Sequence, residues 1–191
     1  MLAMDVKMPN TITLLLGKWR EGNETALSEV IPIVYDELYR LASYYLQGES
    51  RDHTLQPTAL INEAIIQLMQ DDTNFNNRSH FMAIAANTMR RVLVDYARKK
   101  NAQKRGGGAF QITLSGIENS IISQDIDLLA LDEALNKLET IDPTQMKIVE
   151  LRFFCGFTIE ETANILGLSA TSVKTDWAIA RIWLHRELSQ E

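Results

Sequence analysis

Side chains able to do acid–base, nucleophilic or metal chemistry are few and scattered in this 191-residue chain, which holds one cysteine (Cys155) and three histidines (His53, His80 and His185). A single thiol cannot build a disulfide framework or a cysteine-based zinc site. The histidines do not fall at the spacing of a helical metal-binding motif, and no nucleophile–base pairing is apparent. Gly106, Gly107 and Gly108 are followed by Ala109, Phe110 and Gln111, not by the lysine and Ser/Thr of a phosphate-cradling loop. An enzyme working through Glu63 or His80 is therefore a weak reading. No catalytic residue, metal or cofactor is expected.

The chemistry the chain does concentrate is positive charge. The net charge is −6, yet residues 78–105 hold 8 basic groups and 1 acidic group. The basic groups are Arg78, Arg90, Arg91, Arg98, Lys99, Lys100, Lys104 and Arg105. Residues 1–77 carry 5 basic and 11 acidic groups, and residues 106–145 carry 1 and 7. A cationic block between two acidic ones is suited to a local polyanion contact. The acidic flanks oppose general adhesion to nucleic acid. A solvated helix face is the plain alternative.

The elements that must carry these groups read as helices almost throughout. Hydrophobic residues make up 46% of the chain and charged residues 23%, an ordinary globular balance. Apolar positions recur at helical spacing over 11–17, 24–46, 58–70 and 79–100, with Pro32 a candidate kink. Leu27, Val30, Ile31, Val34, Leu38, Leu41 and Tyr45 form one stripe. Phe81, Ile84, Ala85, Thr88, Val92 and Tyr96 form another. The glycine triplet ends this half, residues 106–128 read as a linker, and helices resume over 128–188. Apolar residues within 106–128, such as Phe110 and Ile112, imply that it lies along a surface. No apolar run approaches the roughly 20 residues needed to span a bilayer. The N-terminus lacks a basic-then-apolar leader, so a cytoplasmic protein without membrane insertion is expected.

The most specific local pattern is TIEETANILGLSATSVK at 158–174. Thr158 and Glu161 make a capping box. Gly167 suits the left-handed position that ends a helix, and Ser169 can cap the next one. Two helices on a glycine-containing turn describe a helix-turn-helix, whose second helix enters the DNA major groove in its usual role. Val173, Trp177, Ala180, Leu184 and Leu188 should face inward. Thr171, Ser172, Lys174, Thr175, Ala178 and Arg181 then face out, with hydroxyls and cations suited to phosphates and base edges.

Taken together, these segments resemble an extracytoplasmic-function sigma factor, of the small two-domain class of bacterial transcription-initiation factors. The likeness covers about residues 11–188. VELRFFCGFTIEETANILGLS at 149–169 resembles the family's fourth conserved region. TALINEAIIQL at 58–68 resembles the polymerase-binding helix of its second region. FNNRSHFMAIAANTMRRVLVDYAR at 75–98 resembles the part that melts and reads the −10 element.

The resemblance implies an all-α fold with a region-2-like domain at 11–105, a flexible linker at 106–128 and a region-4-like domain at 129–191. It implies that Leu60, Ile61, Asn62, Glu63, Ile66 and Gln67 dock on the clamp helices of core RNA polymerase, and that the second domain meets its flap. Asn74, Phe75, Asn76 and Asn77 match the loop that receives a flipped base, and Asn87 a contact to the opened strand. A ring and short amides suit a flipped base, whose extraction costs a few kcal/mol. Arg90, Arg91, Arg98, Lys99 and Lys100 would hold phosphates. Thr171, Ser172, Lys174, Thr175, Ala178 and Arg181 would face the −35 element. Many relatives are held by an anti-sigma protein, so such a partner is admitted, although no residue here announces it. A stand-alone helix-turn-helix regulator is the alternative, and it leaves the 75–105 pattern without a role.

The sequence departs from the family pattern at two places. Ala59 stands where many relatives carry an acidic residue. Asp176, Ala178 and Ile179 stand where arginine is frequent. Fewer cations release fewer counterions. A fragment spanning 129–191 is therefore expected to bind random duplex DNA weakly and with a shallow salt dependence. Nanomolar, steeply salt-dependent binding in a salt titration would contradict this reading of the face.

Overall fold

A computed structural model describes residues 8–23, 25–46, 55–70, 75–103, 110–113 and 125–189. The chain runs α1 (Met8–Arg20), α2 (Thr25–Tyr45), α3 (Pro57–Gln70), α4 (Arg78–Gln103), β1 (Gln111–Thr113), β2 (Asp125–Asp127), α5 (Leu128–Ile141), α6 (Pro143–Val149), a π-helical turn (Glu150–Phe154), α7 (Ile159–Leu166) and α8 (Ala170–Leu188). The fold is all-α. Its one extended feature among the described residues is the short antiparallel pairing of β1 with β2. That pairing lies inside the expected linker, much of which falls outside the described residues. Phe110, just before β1, is buried and meets Tyr96 edge-on.

Helices α1 to α4 pack on one another in sequence order. Trp19 accepts the Gly22 N–H at 2.9 Å, with Gly22 at φ 90°, and this turn ends α1. Asn23 Oδ1 then accepts from the Thr25 N–H and hydroxyl, opening α2. Pro32 does not break α2. The carbonyl it leaves unpaired belongs to Ser28, and both residues are exposed, so water can serve it. The expected stripe of α2 is buried at Leu27, Val30, Val34, Leu38 and Tyr45, while Ile31 and Leu41 are only half-buried.

The later helices form a second packed group, in which α6 and α8 are the most intimate pair and α5 braces both. Asp142 stands between α5 and α6, and its carboxylate accepts from the Thr144 and Gln145 N–H groups. Pro143 then occupies the first turn of α6, where its missing N–H costs nothing. The capping box of α7 is present on both sides: Glu161 N–H donates to Thr158 Oγ1 at 3.1 Å, and Thr158 N–H donates to Glu161 Oε2 at 2.8 Å. Gly167 closes α7 at φ 67° and Ser169 caps α8. Val173, Trp177, Ala180 and Leu184 are buried along α8; Leu188, expected to join them, is half-buried. The helix-turn-helix thus has the geometry its sequence predicts.

Two glycines give opposite stability tests. Gly17 sits inside α1 with open space where a Cβ would project, whereas Gly167 holds a left-handed φ. Gly17→Ala should raise the unfolding free energy by about 0.5–1 kcal/mol. Gly167→Ala should lower it by about 1–2 kcal/mol. Urea unfolding reads both.

Candidate nucleic-acid interface

Helix α4 carries most of the cationic block. Asn87, Arg90, Val94 and Arg98 recur at steps of 3 and 4, so they share one side of the helix. That side does not face open solvent along its whole length. Arg90 is buried, and its guanidinium reaches Asp132 Oδ1 of α5 at 2.6 Å and Glu150 Oε1 of the π-helical turn at 3.1 Å. Its plane lies over the Phe154 ring, 5.5 Å from the centroid. Asn87 Nδ2 donates to the same Glu150 oxygen at 2.9 Å. Arg98 Nη2 reaches Asp132 Oδ2 at 3.2 Å. Three of the residues expected at the opened strand are thus gathered on two carboxylates of the later half. Arg91 and Lys99 are exposed, Arg91 donating to Thr88 Oγ1, and Lys100 lies over the Phe110 ring.

Burial pushes the Glu150 carboxyl above its ordinary range, with the adjacent Arg90 guanidinium opposing the rise. Burial, with Glu150 nearby, also pushes the Cys155 thiol far up, which suppresses the thiolate needed for redox chemistry. Tyr45, at the end of α2, donates its hydroxyl to the Phe154 carbonyl at 2.7 Å. Burial raises that hydroxyl well above the usual phenol range. The π-helical turn therefore presents Glu150 and Phe154 to the first half together. No spacing rule in the sequence announces it.

The loop before α4 is partly described. Asn74 lies outside the described residues. Phe75 is buried and packs edge-on against Phe81, with ring centroids 5.1 Å apart. Asn77 Oδ1 caps α4 by accepting from the His80 N–H at 2.9 Å. Asn76 is exposed and donates its backbone N–H to His80 Nδ1. In this structure the phenyl ring anchors the loop while Asn76 and Asn77 lie at its surface.

On α3, Leu60 and Ile61 face the core. The outward side presents Asn62, Glu63 and Ile66, with Gln67 half-buried. Met69 is 52% exposed beside Ile66 at 49%. Its helical spacing from Ile66 places it on the same outward side of α3. On α8, Thr171, Ser172, Lys174, Thr175 and Ala178 are exposed, and Arg181 is half-buried. Ser172 and Thr175 are turned to local partners: Ser172 Oγ lies 2.8 Å from Ser169 Oγ, and Thr175 Oγ1 donates to the Thr171 carbonyl. Arg181 and Arg152 each lie against the Trp177 ring, at 5.8 and 5.5 Å. Trp177 is thus a buried platform.

A capped helix-turn-helix and a helix rich in cations on an all-α scaffold are the features expected of a nucleic-acid-binding protein. The sequence model of the family described as "ECF sigma factor" matches residues 9–190. The chain belongs to that family of transcription-initiation factors, whose members bind core RNA polymerase and promoter DNA. It is similar to "ECF RNA polymerase sigma factor SigX" of Bacillus subtilis (strain 168), at 26% identity over 160 residues covering 78% of each chain. The family is one of sigma factors and not of enzymes. No helix among the described residues is long and apolar enough to cross a membrane.

The Glu150 shift has a definite sign. A carboxyl raised on folding stabilises the fold below its unfolded value, and that contribution is lost as pH rises through the folded value. Glu150→Gln mimics the neutral form at all pH. Between pH 4 and 8, the stability of the natural chain should therefore fall relative to Glu150→Gln as pH rises. A difference moving the other way in chemical denaturation would contradict the burial account.

Proposed function

We propose that this chain directs promoter-specific initiation through three surfaces held in fixed order along it. Residues 11–105 form the part that docks on the polymerase clamp helices, through the outward side of α3. Asn62, Glu63, Ile66 and Gln67 supply this contact, while Leu60 and Ile61 support it from the core. The same part opens and reads the −10 element. Asn74, Phe75, Asn76 and Asn77 offer a site for a flipped base, and Asn87, Arg90, Arg91, Arg98, Lys99 and Lys100 hold the strand. Residues 129–191 read the −35 element through Thr171, Ser172, Lys174, Thr175, Ala178 and Arg181. Residues 106–128 join the two.

The observation that carries this reading is the placement of Arg78, Arg90, Arg91, Arg98, Lys99 and Lys100 on one helix, α4, between the exposed side of α3 and a capped helix-turn-helix, with Lys104 and Arg105 of the block outside the described residues. Phosphate contacts position a protein on DNA and base contacts specify the site. The two tasks divide naturally between α4 and α8. Linkage lets each interface be modest, because the second contact forms at high effective concentration. Exposed Ile179 and Ile182 extend α8 into an apolar strip. A protein surface, the polymerase flap or an anti-sigma protein, would cover it.

Reconstitution tests the proposal. Core polymerase with this chain should initiate at a cognate promoter that core alone ignores. Glu63→Arg should weaken core association about tenfold or more, because reversing a charge at a docking surface costs on the order of 1–3 kcal/mol. Far-UV circular dichroism should not change. Unchanged core binding would remove α3 from the docking role. Operator binding by the chain alone, with no association with core, would favour a stand-alone regulator.

A further inference from the structure

We propose that the crevice framed by α2, the start of α4 and the π-helical turn binds a small organic anion, one with a flat apolar body and a carboxylate or phosphate head. Such a ligand is additional to polymerase and promoter DNA, and the site does not depend on the initiation reading. Four observations carry it.

The crevice is a formed concavity of ligand size. Its volume is about 610 Å³, within the range of roughly 300–1,000 Å³ typical of small-molecule sites. Its walls rest on one contiguous apolar core that includes Leu38 of α2, Met82 of α4, Phe154 and Phe157. The Tyr45 hydroxyl on the Phe154 carbonyl, at 2.7 Å, ties the walls together. A preformed site spares a ligand the cost of ordering it.

The charge on the lining is lopsided. Three of its charged residues are arginines, Arg40, Arg78 and Arg152, and one is acidic, Glu37. Arg78 is already paired with Glu37. Arg40 uses Nε on the Asp36 carbonyl at 3.2 Å, and its terminal nitrogens make no bond to a described residue. Arg40 on α2 and Arg152 on the turn thus bring positive charge from opposite walls. Guanidinium groups suit carboxylate and phosphate, which they can grip with two parallel bonds.

Arg152 is under-served where it stands. Its Nη1 donates to the Phe157 carbonyl and its plane lies 5.5 Å from the Trp177 centroid. Its Nε is buried with no hydrogen-bond partner. Burial draws this guanidinium below its ordinary value, with Glu160 opposing the fall. An unmade buried donor costs free energy, and an anion seated beside the guanidinium offsets that cost through its charge.

The rest of the wall is apolar and largely aromatic. Tyr44, Phe153 and Phe157 line it with Leu41 and Met82, so a bare inorganic ion would leave that surface wet, whereas a flat apolar body covers it. The π-helical turn is what sets Arg152, Phe153 and Phe154 on this wall together. Such turns are rare and recur at functional sites.

Isothermal titration of the full chain tests the site with naphthoate, its uncharged counterpart naphthamide, AMP and inorganic phosphate. Naphthoate or AMP should bind at a single site with a Kd of about 100 μM or tighter, and the tighter of the two assigns the head group. Naphthamide and inorganic phosphate should each bind about tenfold more weakly or worse. Arg40→Gln should weaken binding about tenfold, and Arg152→Gln at least as much. Arg20→Gln removes the same charge from an exposed position outside the crevice and should change Kd by less than about twofold. Arg40 is exposed, so Arg40→Gln keeps the fold and decides alone if circular dichroism shows Arg152→Gln unfolded. Polymerase takes no part in the titration, so failure here leaves the initiation reading standing. Naphthamide binding as well as naphthoate would reduce the contact to apolar adhesion and overturn the site. Phosphate binding as well as AMP, equal losses in Arg40→Gln and Arg20→Gln, or no binding of naphthoate and AMP at about 1 mM would each overturn it too.

Discussion

A buried arginine is the constraint on which the arrangement of the two halves depends. A buried guanidinium is costly unless it is paired and hydrogen-bonded, and Arg90 is enclosed. In this structure the partners come from α5 and the π-helical turn, both distant in sequence. Losing one partner of a buried pair strands the other charge, whereas the intact pair contributes little net stability. Such a contact suits a specific, reversible arrangement better than a permanent one. The face of Phe154 against the guanidinium and the Tyr45 hydroxyl on the Phe154 carbonyl fix the turn that delivers Glu150.

Local structure was legible in the sequence wherever its cause was local. The capping box of Thr158 and Glu161, the left-handed Gly167 and the Ser169 cap all act within a few residues, and all are present. The inward stripes of α2 and α8 follow from helical periodicity, with misses at Ile31, Leu41 and Leu188. Pro32 passed through α2 because its unpaired carbonyl faces water. Family membership was likewise legible, since several motifs stand in order along one chain.

What could not be read was set by distance. Counting charges over 78–105 treats every cation as equivalent, yet Arg90 is enclosed while Arg91 beside it is exposed. Only the fold tells them apart, because neighbours on a helix point about 100° apart. The same holds on α3, where Leu60 and Ile61 turn to the core and Asn62 and Glu63 to the outside. Phe75 packs against Phe81, so the ring suited to stacking on a base anchors its own loop here. The π-helical turn at Glu150–Phe154 interrupts what reads as continuous helix, and Phe154 within it packs on Tyr45, a residue more than 100 positions away.

The central claim is that the cations of α4 act on separated strands only within a complex that holds both halves of the chain. Permanganate footprinting of a cognate promoter measures this directly, because the reagent oxidises unstacked thymines. The account predicts reactive thymines in the −10 region with core polymerase and this chain together. It predicts none with either alone, and loss of the signal when Asn87 and Arg91 are both replaced by alanine. Equal reactivity with core polymerase alone, or an unchanged footprint from the doubly substituted chain, would contradict it.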